Sequence, residues 1–215
     1  MVTSKNCIIR LSRYKNALYR LLSLGFLKVF SETLADEVGV TASQVRKDFS
    51  LFGISGNKKG GYQIEALLNK LSSILGKDKL QKVIVVGSGH IGTALMKYKG
   101  FEKEGIKITA GFDIDPAKCN KSGTVPVLPI GELKDFVKND AIKIGIIATP
   151  DIAAQQVADL MFEAGIKGIL NFAPIRIKSP QDSIVNYVNL ELELENVIYF
   201  VNALNKPLSL SKDSA

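Results

Sequence analysis

The feature that most constrains this chain is a glycine-rich turn near its centre, Gly87-Ser88-Gly89-His90-Ile91-Gly92. Before it runs Lys82-Val83-Ile84-Val85-Val86, short, apolar and β-branched, the pattern of a buried strand. After it comes Thr93-Ala94-Leu95-Met96-Lys97-Tyr98, which reads as helix. Strand, G-x-G-x-x-G and helix in that order make a phosphate-binding turn. The first glycine permits the tight turn, the second admits a pyrophosphate to the backbone, and the third lets the helix pack on the strand.

A second strand, Ile106-Lys107-Ile108-Thr109-Ala110-Gly111-Phe112, ends at Asp113, 21 residues after Gly92. An acid there receives the ribose hydroxyls of an adenine dinucleotide, with Asp115 as a nearby competitor. No arginine follows directly, which favours NAD(H) over NADP(H). Strands and helices then alternate. Val125-Pro126-Val127-Leu128 is a short strand, residues 129–137 a helix, and residues 142–148 a buried strand. Thr149-Pro150 opens a further helix with Thr149 as cap, and residues 166–170 form another strand. Such alternation predicts a parallel sheet covered on both faces, with the strand ends at Gly87, Asp113 and Thr149 lining one crevice. The candidate NAD(H) contacts are Gly87, Ser88, Gly89, His90, Ile91, Gly92, Asp113, Thr149 and Pro150. The C-terminal stretch is ambiguous. Val188, Leu190, Leu192 and Leu194 alternate as in a strand, while Leu190, Leu194, Val197, Ile198, Val201 and Leu204 fit a helix over a longer window. It is apolar enough to require a covering surface, such as a second subunit. Residues 206–215 are expected to be disordered.

About eighty residues precede the glycine turn. They carry 13 of the 28 basic and 6 of the 21 acidic side chains, and so hold the entire net charge of +7. A basic segment joined to a neutral nucleotide-binding half suits a reader of a polyanion controlled by a metabolite. Residues 14–24 place Tyr14, Ala17, Leu18, Leu21 and Leu22 at helical spacing. Ser31 is a candidate cap for a second helix that Gly39 stops. Thr41-Ala42-Ser43-Gln44 has a capping-box pattern, so a third helix starts at Ala42, with Val45, Phe49 and Phe52 on its inner face. Helix, short turn and capped polar helix form a helix-turn-helix pattern; three amphipathic helices also make ordinary bundles. In the helix-turn-helix reading Ser43 and Gln44 lie nearest base edges, and Arg46 and Lys47 reach bases or phosphates. The Gly-rich loop that follows contains Lys58 and Lys59 and reads as a wing tracking phosphate or a minor groove. Arg10, Arg13 and Tyr14 of the first helix complete the candidate contacts to double-stranded DNA. Residues 76–79 read as a linker, which divides the chain into residues 1–79, 80–205 and the tail.

Several classes are disfavoured. Eighteen consecutive apolar residues occur nowhere, and the N-terminus lacks an apolar secretory core, so neither a membrane span nor a signal peptide is expected. Cys7 and Cys119 are far apart and His90 is the only histidine, which argues against a disulfide framework, a metal site or a Ser-His-Asp triad. The expectation is an intracellular protein without a metal.

At this point the chain resembles the Rex family of bacterial redox-sensing repressors. The resemblance rests on Val45-Arg46-Lys47-Asp48-Phe49-Ser50-Leu51-Phe52-Gly53, the glycine-rich wing, the turn at residues 87–92, Tyr98-Lys99-Gly100-Phe101, Phe112-Asp113-Ile114-Asp115-Pro116 and Gly168-Ile169-Leu170-Asn171-Phe172-Ala173-Pro174. It implies an α/β protein with an N-terminal winged-helix DNA-binding domain and a C-terminal Rossmann-type NAD-binding domain. It further implies a cytoplasmic homodimer that exchanges its C-terminal helices and releases operator DNA when NADH binds, with NAD⁺ competing. It places Tyr98 near the nicotinamide. Three departures stand out: Ser12 stands where a proline usually opens the first helix, the wing reads Asn57-Lys58-Lys59-Gly60-Gly61, and Asn189 stands where relatives often carry aspartate. The rival readings are an NAD-dependent dehydrogenase with a basic N-terminal extension, and a CoA-binding scaffold using the same turn. The dehydrogenase is disfavoured because the only histidine lies inside the phosphate turn, away from any substrate.

Overall fold

A computed structural model describes residues 4–57 and 60–204. The chain divides into two compact units, one to Gln81 and one from Lys82.

The first unit begins with α1 (Lys5–Ser23), capped by the Ser4 side chain, which accepts from the Cys7 backbone N–H. The helix starts nine residues before the predicted span, because Cys7 and Leu11 extend the buried stripe of Tyr14, Leu18 and Leu21. A two-residue strand, β1 (Lys28–Val29), leads into α2 (Ser31–Val38). Ser31 does not cap that helix. It is the first helical residue and is buried, with Phe30 in the cap position and no side-chain hydrogen bond made there. Gly39 ends α2 in the left-handed conformation, as its sequence position predicts. The third helix, α3 (Ala42–Leu51), starts where the capping pattern puts it: Thr41 Oγ1 accepts from the Gln44 backbone N–H at 3.1 Å. The loop after α3 returns as β2 (Tyr62–Gln63), which pairs antiparallel with β1. The predicted wing is therefore anchored by a strand between α1 and α2, too short to read from sequence, and by an Asn57–Gly61 bridge of its own. Lys58 and Lys59 lie outside the described residues. The last helix, α4 (Ile64–Ile74), closes the unit over a core in which Leu11, Tyr14, Leu18, Leu34, Val45, Phe49, Ile64 and Leu71 are buried.

In the second unit the chain runs β3 (Gln81–Val86), α5 (His90–Met96), α6 (Gly100–Lys103), β4 (Ile106–Asp113), β5 (Val127–Pro129) and α7 (Leu133–Asn139). It continues through β6 (Ile144–Ile147), α8 (Asp151–Ala164), β7 (Gly168–Asn171), β8 (Ile184–Tyr187) and α9 (Leu190–Leu204). The strands form one sheet of order β5-β4-β3-β6-β7-β8, and the β3/β6, β4/β5, β6/β7 and β7/β8 pairs are parallel. Alternate residues of β3 serve opposite faces. Ile84 and Val86 join Leu133, Val137, Ala158 and Met161 under α7 and α8, while Val83 and Val85 meet Leu95, Met96 and Phe101 under α5 and α6. That double burial explains why β3 reads as an unbroken apolar run. From β3 the chain builds outward through β4 and β5, then crosses back to β6. Beyond the carboxyl ends of β3 and β6 lies the crevice where such sheets take ligands.

One further expectation is corrected, one strand is new, and one ambiguity is resolved. Pro150, not Thr149, occupies the cap position of α8, which begins at Asp151. β8 follows residues that carried no clear strand pattern, and its pairing with β7 supplies the partner that makes it a strand. The ambiguous C-terminal stretch is the helix α9, with Asn189 Oδ1 accepting from the Leu192 backbone N–H at 3.0 Å at its start. No residue of α9 is buried, and Leu190, Leu192, Leu194, Val197, Ile198 and Val201 are all exposed. The predicted disordered tail lies outside the described residues. Among the described residues no helix is long and apolar enough to cross a membrane.

Candidate nucleotide cleft and nucleic-acid interface

The glycine turn is built by close backbone approach. Gly87 has φ +97°, and a Cβ there would sit 2.5 Å from the Ala148 carbonyl oxygen at the end of β6. A Cβ on Gly92 would fall 1.8 Å from the Gly87 carbonyl oxygen, so glycine is what lets α5 rest on the turn. Gly89 differs: apart from its own chain neighbours, nothing lies within 4 Å of the place its Cβ would occupy. That open side belongs to a cleft of about 610 Å³ lined by Gly87, Gly89, His90, Ile91, Asp113, Thr149, Pro150 and other residues, a size within the usual range for small-molecule sites. Seven of the sequence-predicted contacts thus meet in one cleft. Gly92 is buried beneath it.

Asp113 does more than line the cleft. Its Oδ2 accepts from the Ser88 backbone N–H at 2.8 Å and from Ser88 Oγ at 2.7 Å, and its Oδ1 accepts from the Asp115 N–H at 2.9 Å. Lys118 Nζ stands 3.6 Å away. Burial alone would push this carboxyl up, but the hydrogen bonds from Asp115 and Ser88 and the Lys118 charge hold it below the ordinary carboxylate value. The acid therefore ties β4 to the turn after β3, and Oδ1, which has a single donor, retains acceptor capacity for a ligand hydroxyl. Ser88 is consumed by this brace and faces a second cleft, also about 610 Å³. Tyr98 lines that second cleft with Lys97, Lys99 and Lys118, and stacks edge-to-face on Phe101 with ring centroids 5.1 Å apart. There it meets Ser88 of the predicted contacts, but not Gly89 or Thr149, which line the other cleft.

The Thr149 hydroxyl is buried, makes no hydrogen bond and lines the first cleft. A buried polar atom without a partner is costly unless a ligand or water meets it. With the open side of Gly89 and the acid at Asp113, it gives the cleft the donor and acceptor set that a dinucleotide requires. The sequence signal was the strand end at Thr149, which places the residue at the crevice among the candidate NAD(H) contacts.

In the first unit the polar face of α3 carries Ser43, Arg46 and Lys47, all exposed. Arg46 Nη1 pairs with Glu32 Oε1 at 3.1 Å, so its charge is partly countered from α2. Arg13 is exposed on α1. Tyr14 must be removed from the predicted DNA contacts: it is 0 % exposed, and its hydroxyl donates to Asp48 Oδ2 at 3.0 Å. Arg10 is half-buried and bound to the same carboxylate through Nε at 2.6 Å and Nη2 at 2.7 Å. Gln44 Nε2 donates to Asp48 Oδ1 at 2.8 Å, and Cys7 Sγ approaches it at 3.4 Å. Asp48 is thus a buried hub joining α1 to α3 that sequence reasoning missed. Its one legible sign was a carboxylate beside Phe49 on the inner face.

Residues 78–175 match the family model of the CoA binding domain, and residues 3–50 match that of the putative DNA-binding protein N-terminus. A redox-sensing transcriptional repressor Rex from Oenococcus oeni is 41 % identical over 199 residues, covering 90 % of each chain. The Rex repressor of Carboxydothermus hydrogenoformans is 42 % identical over 189 residues, 87 % of this chain and 91 % of that one. Among solved structures, RSP, a Rex-family repressor, in complex with β-NAD⁺ and operator DNA is 38 % identical with a TM-score of 0.89, over 95 % of this chain and 94 % of that one. The complex of RSP with β-NADH matches at the same identity with a TM-score of 0.85, over 95 % and 96 %. Both halves of the fold, their order in the chain and identity near 40 % over nine-tenths of its length agree: the chain belongs to the Rex family of redox-sensing transcriptional repressors.

Proposed function

We propose that this protein is a DNA-binding transcriptional repressor that senses the NADH/NAD⁺ ratio and releases its operator when NADH binds. The observation that carries the reading is the presence, in one chain, of a capped polar helix on a basic unit and a dinucleotide cleft on a neutral one, in a protein matched along its length by a repressor solved with NAD⁺ and operator DNA. It is not an enzyme in this reading. Besides Asp113 and Lys118 the cleft holds one titratable side chain, His90, which opens α5 at the phosphate turn, where a pyrophosphate would lie. We assign it to the cytoplasm, with the DNA it reads.

Gly89 would receive the pyrophosphate, Asp113 the ribose hydroxyls and the Thr149 hydroxyl a further polar group of NAD(H). When bound, the oxidised nicotinamide ring carries a positive charge that the reduced ring lacks, and this is the difference a sensor reads. Ser43, Gln44, Arg46, Lys47 and Arg13 would face the duplex. The apolar surface of α9 exceeds what a soluble monomer leaves open, so the protein is a homodimer in which α9 is covered by the partner copy. Two copies of α3 would then meet two half-sites.

The test selects operator DNA from a random duplex pool and titrates NADH into the complex, with NAD⁺ as control. Release by NADH but not by equal NAD⁺ is expected. Tight DNA binding that NADH leaves untouched removes the sensor reading. NADH binding with no DNA sequence selected moves the weight to the dehydrogenase.

A further inference from the structure

We propose that Asp48 holds the Gln44 amide with its carbonyl outward, making Gln44 the reader of an exocyclic amine, adenine N6 or cytosine N4, in the major groove. The inference rests on the DNA-binding reading above and adds which base edge one residue selects.

The orientation of a glutamine amide is usually open, but here the neighbour decides it. A carboxylate can only accept, so the group facing Asp48 Oδ1 at 2.8 Å must be the Gln44 NH₂. Turning the amide over would set two acceptor oxygens against each other. Asp48 itself is 1 % exposed, and everything that touches it donates: Arg10 through two nitrogens, the Tyr14 hydroxyl, the Cys7 thiol and Gln44. Burial alone would raise its carboxyl, yet these bonds, that of Arg10 foremost, hold it below the ordinary value, so it stays ionised. The other end of the amide is free. Gln44 is half-buried, its carbonyl takes no hydrogen bond, and it is not among the buried unpartnered atoms of the described residues, so that oxygen reaches solvent.

Gln44 is also in the first turn of α3, its backbone N–H bonded to Thr41 Oγ1, in the N-terminal half that a recognition helix presents to the groove. An outward carbonyl accepts from N6 of adenine or N4 of cytosine and is repelled by thymine O4 or guanine O6. Its N–H cis to the carbonyl can reach adenine N7 in the same plane, so adenine gains a second bond that cytosine cannot offer. Asp48 is therefore a positioning residue for base choice, and Arg10 and Tyr14 hold Asp48 in place.

The experiment uses the full chain and the operator it selects. Each adenine is replaced singly by hypoxanthine, which carries a carbonyl in place of the amine, and each cytosine by 2-pyrimidinone, which lacks the amine. Wild type should lose affinity roughly 5- to 100-fold at one position per half-site. Gln44→Ala should show no loss at that position while keeping its sensitivity elsewhere. Asp48→Asn, which lets the amide turn over, should relax the preference there to within about twofold. Where circular dichroism finds Asp48→Asn unfolded, the Gln44→Ala series carries the test. Equal analogue sensitivity in wild type and Gln44→Ala at every position overturns the inference and leaves the DNA-binding reading standing. A folded Asp48→Asn with an unchanged preference overturns the part given to Asp48. Failure of wild type to select any site overturns the DNA-binding reading, and this inference with it.

Discussion

Alanine at Gly89 and at Gly92 should have opposite effects on the fold, although both residues belong to the same turn. At Gly92 the new methyl would stand 1.8 Å from the Gly87 carbonyl oxygen and 3.4 Å from Val85 Cγ1. Its main obstacle is backbone, which cannot swing aside, so the cost lies at or above the roughly 3 kcal/mol upper end for overpacking. A unit of this size loses about 4 °C of melting temperature per kcal/mol, so Gly92→Ala should melt about 12 °C below wild type. At Gly89 the backbone has φ −68°, open to alanine, and apart from its own chain neighbours nothing lies within 4 Å of the methyl. Restricting the unfolded chain then contributes about 0.4–1 kcal/mol in favour of the fold, a rise of about 2–4 °C.

The ligand reverses this order. NADH at a hundredfold excess over its dissociation constant should stabilise wild type by about 2.7 kcal/mol, near 10 °C. In Gly89→Ala the methyl fills the space where the pyrophosphate approaches the backbone, so that protection should vanish while operator binding persists. Differential scanning calorimetry with and without NADH reads all of this. If Gly89→Ala melts several degrees low without ligand, or is still protected by NADH, then the open side of Gly89 is not the pyrophosphate site.

Glu32→Gln should tighten operator binding, because it frees Arg46 from its 3.1 Å pair, at a stability cost of no more than about 1 kcal/mol since both partners are exposed; unchanged affinity in a DNA titration would mean that Arg46 does not contact the duplex. Cys7 should resist thiol reagents until the first unit unfolds, because it is 2 % exposed and burial, with the Asp48 carboxylate, pushes its thiol up; labelling of Cys7 at the rate of the half-buried Cys119 would contradict this. Asp48 has a lowered folded-state pKa, so its contribution is full above the ordinary carboxylate range and lost as pH falls through the folded value. Acid unfolding of the first unit should therefore begin only below about pH 4, and Asp48→Asn should flatten the profile; an unaltered profile would exclude the hub as its cause.

What was legible in the sequence was local. Thr41 and Gln44 are three residues apart, and the cap they form is there at 3.1 Å. Gly87, Gly89 and Gly92 read as a turn because the backbone geometry they serve is short-range. Asp48 was hidden because its partners Cys7, Arg10 and Tyr14 lie 41, 38 and 34 residues away, and no periodicity links them. Tyr14 was misplaced for the same reason. Its spacing put it on the inner face, and only the distant carboxylate explains how a buried phenol is satisfied. The brace from Ser88 to Asp113 spans 25 residues, so the acid could be read as a ligand contact but not as a support for the turn. Strand β1 has two residues and exists only because β2 pairs with it. The apolar stripe of α9 was visible, but what covers it is not encoded in its own pattern.

The residue at position 189 bears on the proposed coupling between NADH and operator binding. Asn189 caps α9 through its carbonyl oxygen, so the helix start forms without a charged cap. An aspartate at the same cap would interact more strongly with the helix dipole, by roughly 0.3–1 kcal/mol. It would also bring a titratable charge that could pair differently in two states. Here the cap is neutral, so any ion pair that α9 makes at its first turn must use Glu191 or Glu193 rather than the cap residue. Linkage sets the size of that coupling from either end: if NADH weakens operator binding by some factor, operator must weaken NADH binding by the same factor. A useful switch needs roughly 1–3 kcal/mol, so the charge missing from Asn189 is worth less than the whole and at most a fair part of it. The proposed switch can therefore persist with an uncharged cap, and Asn189→Asp should change the NADH-driven loss of operator affinity by no more than about fivefold, the most that a cap charge of roughly 1 kcal/mol can supply; a larger change in a DNA titration would give residue 189 more than a capping part.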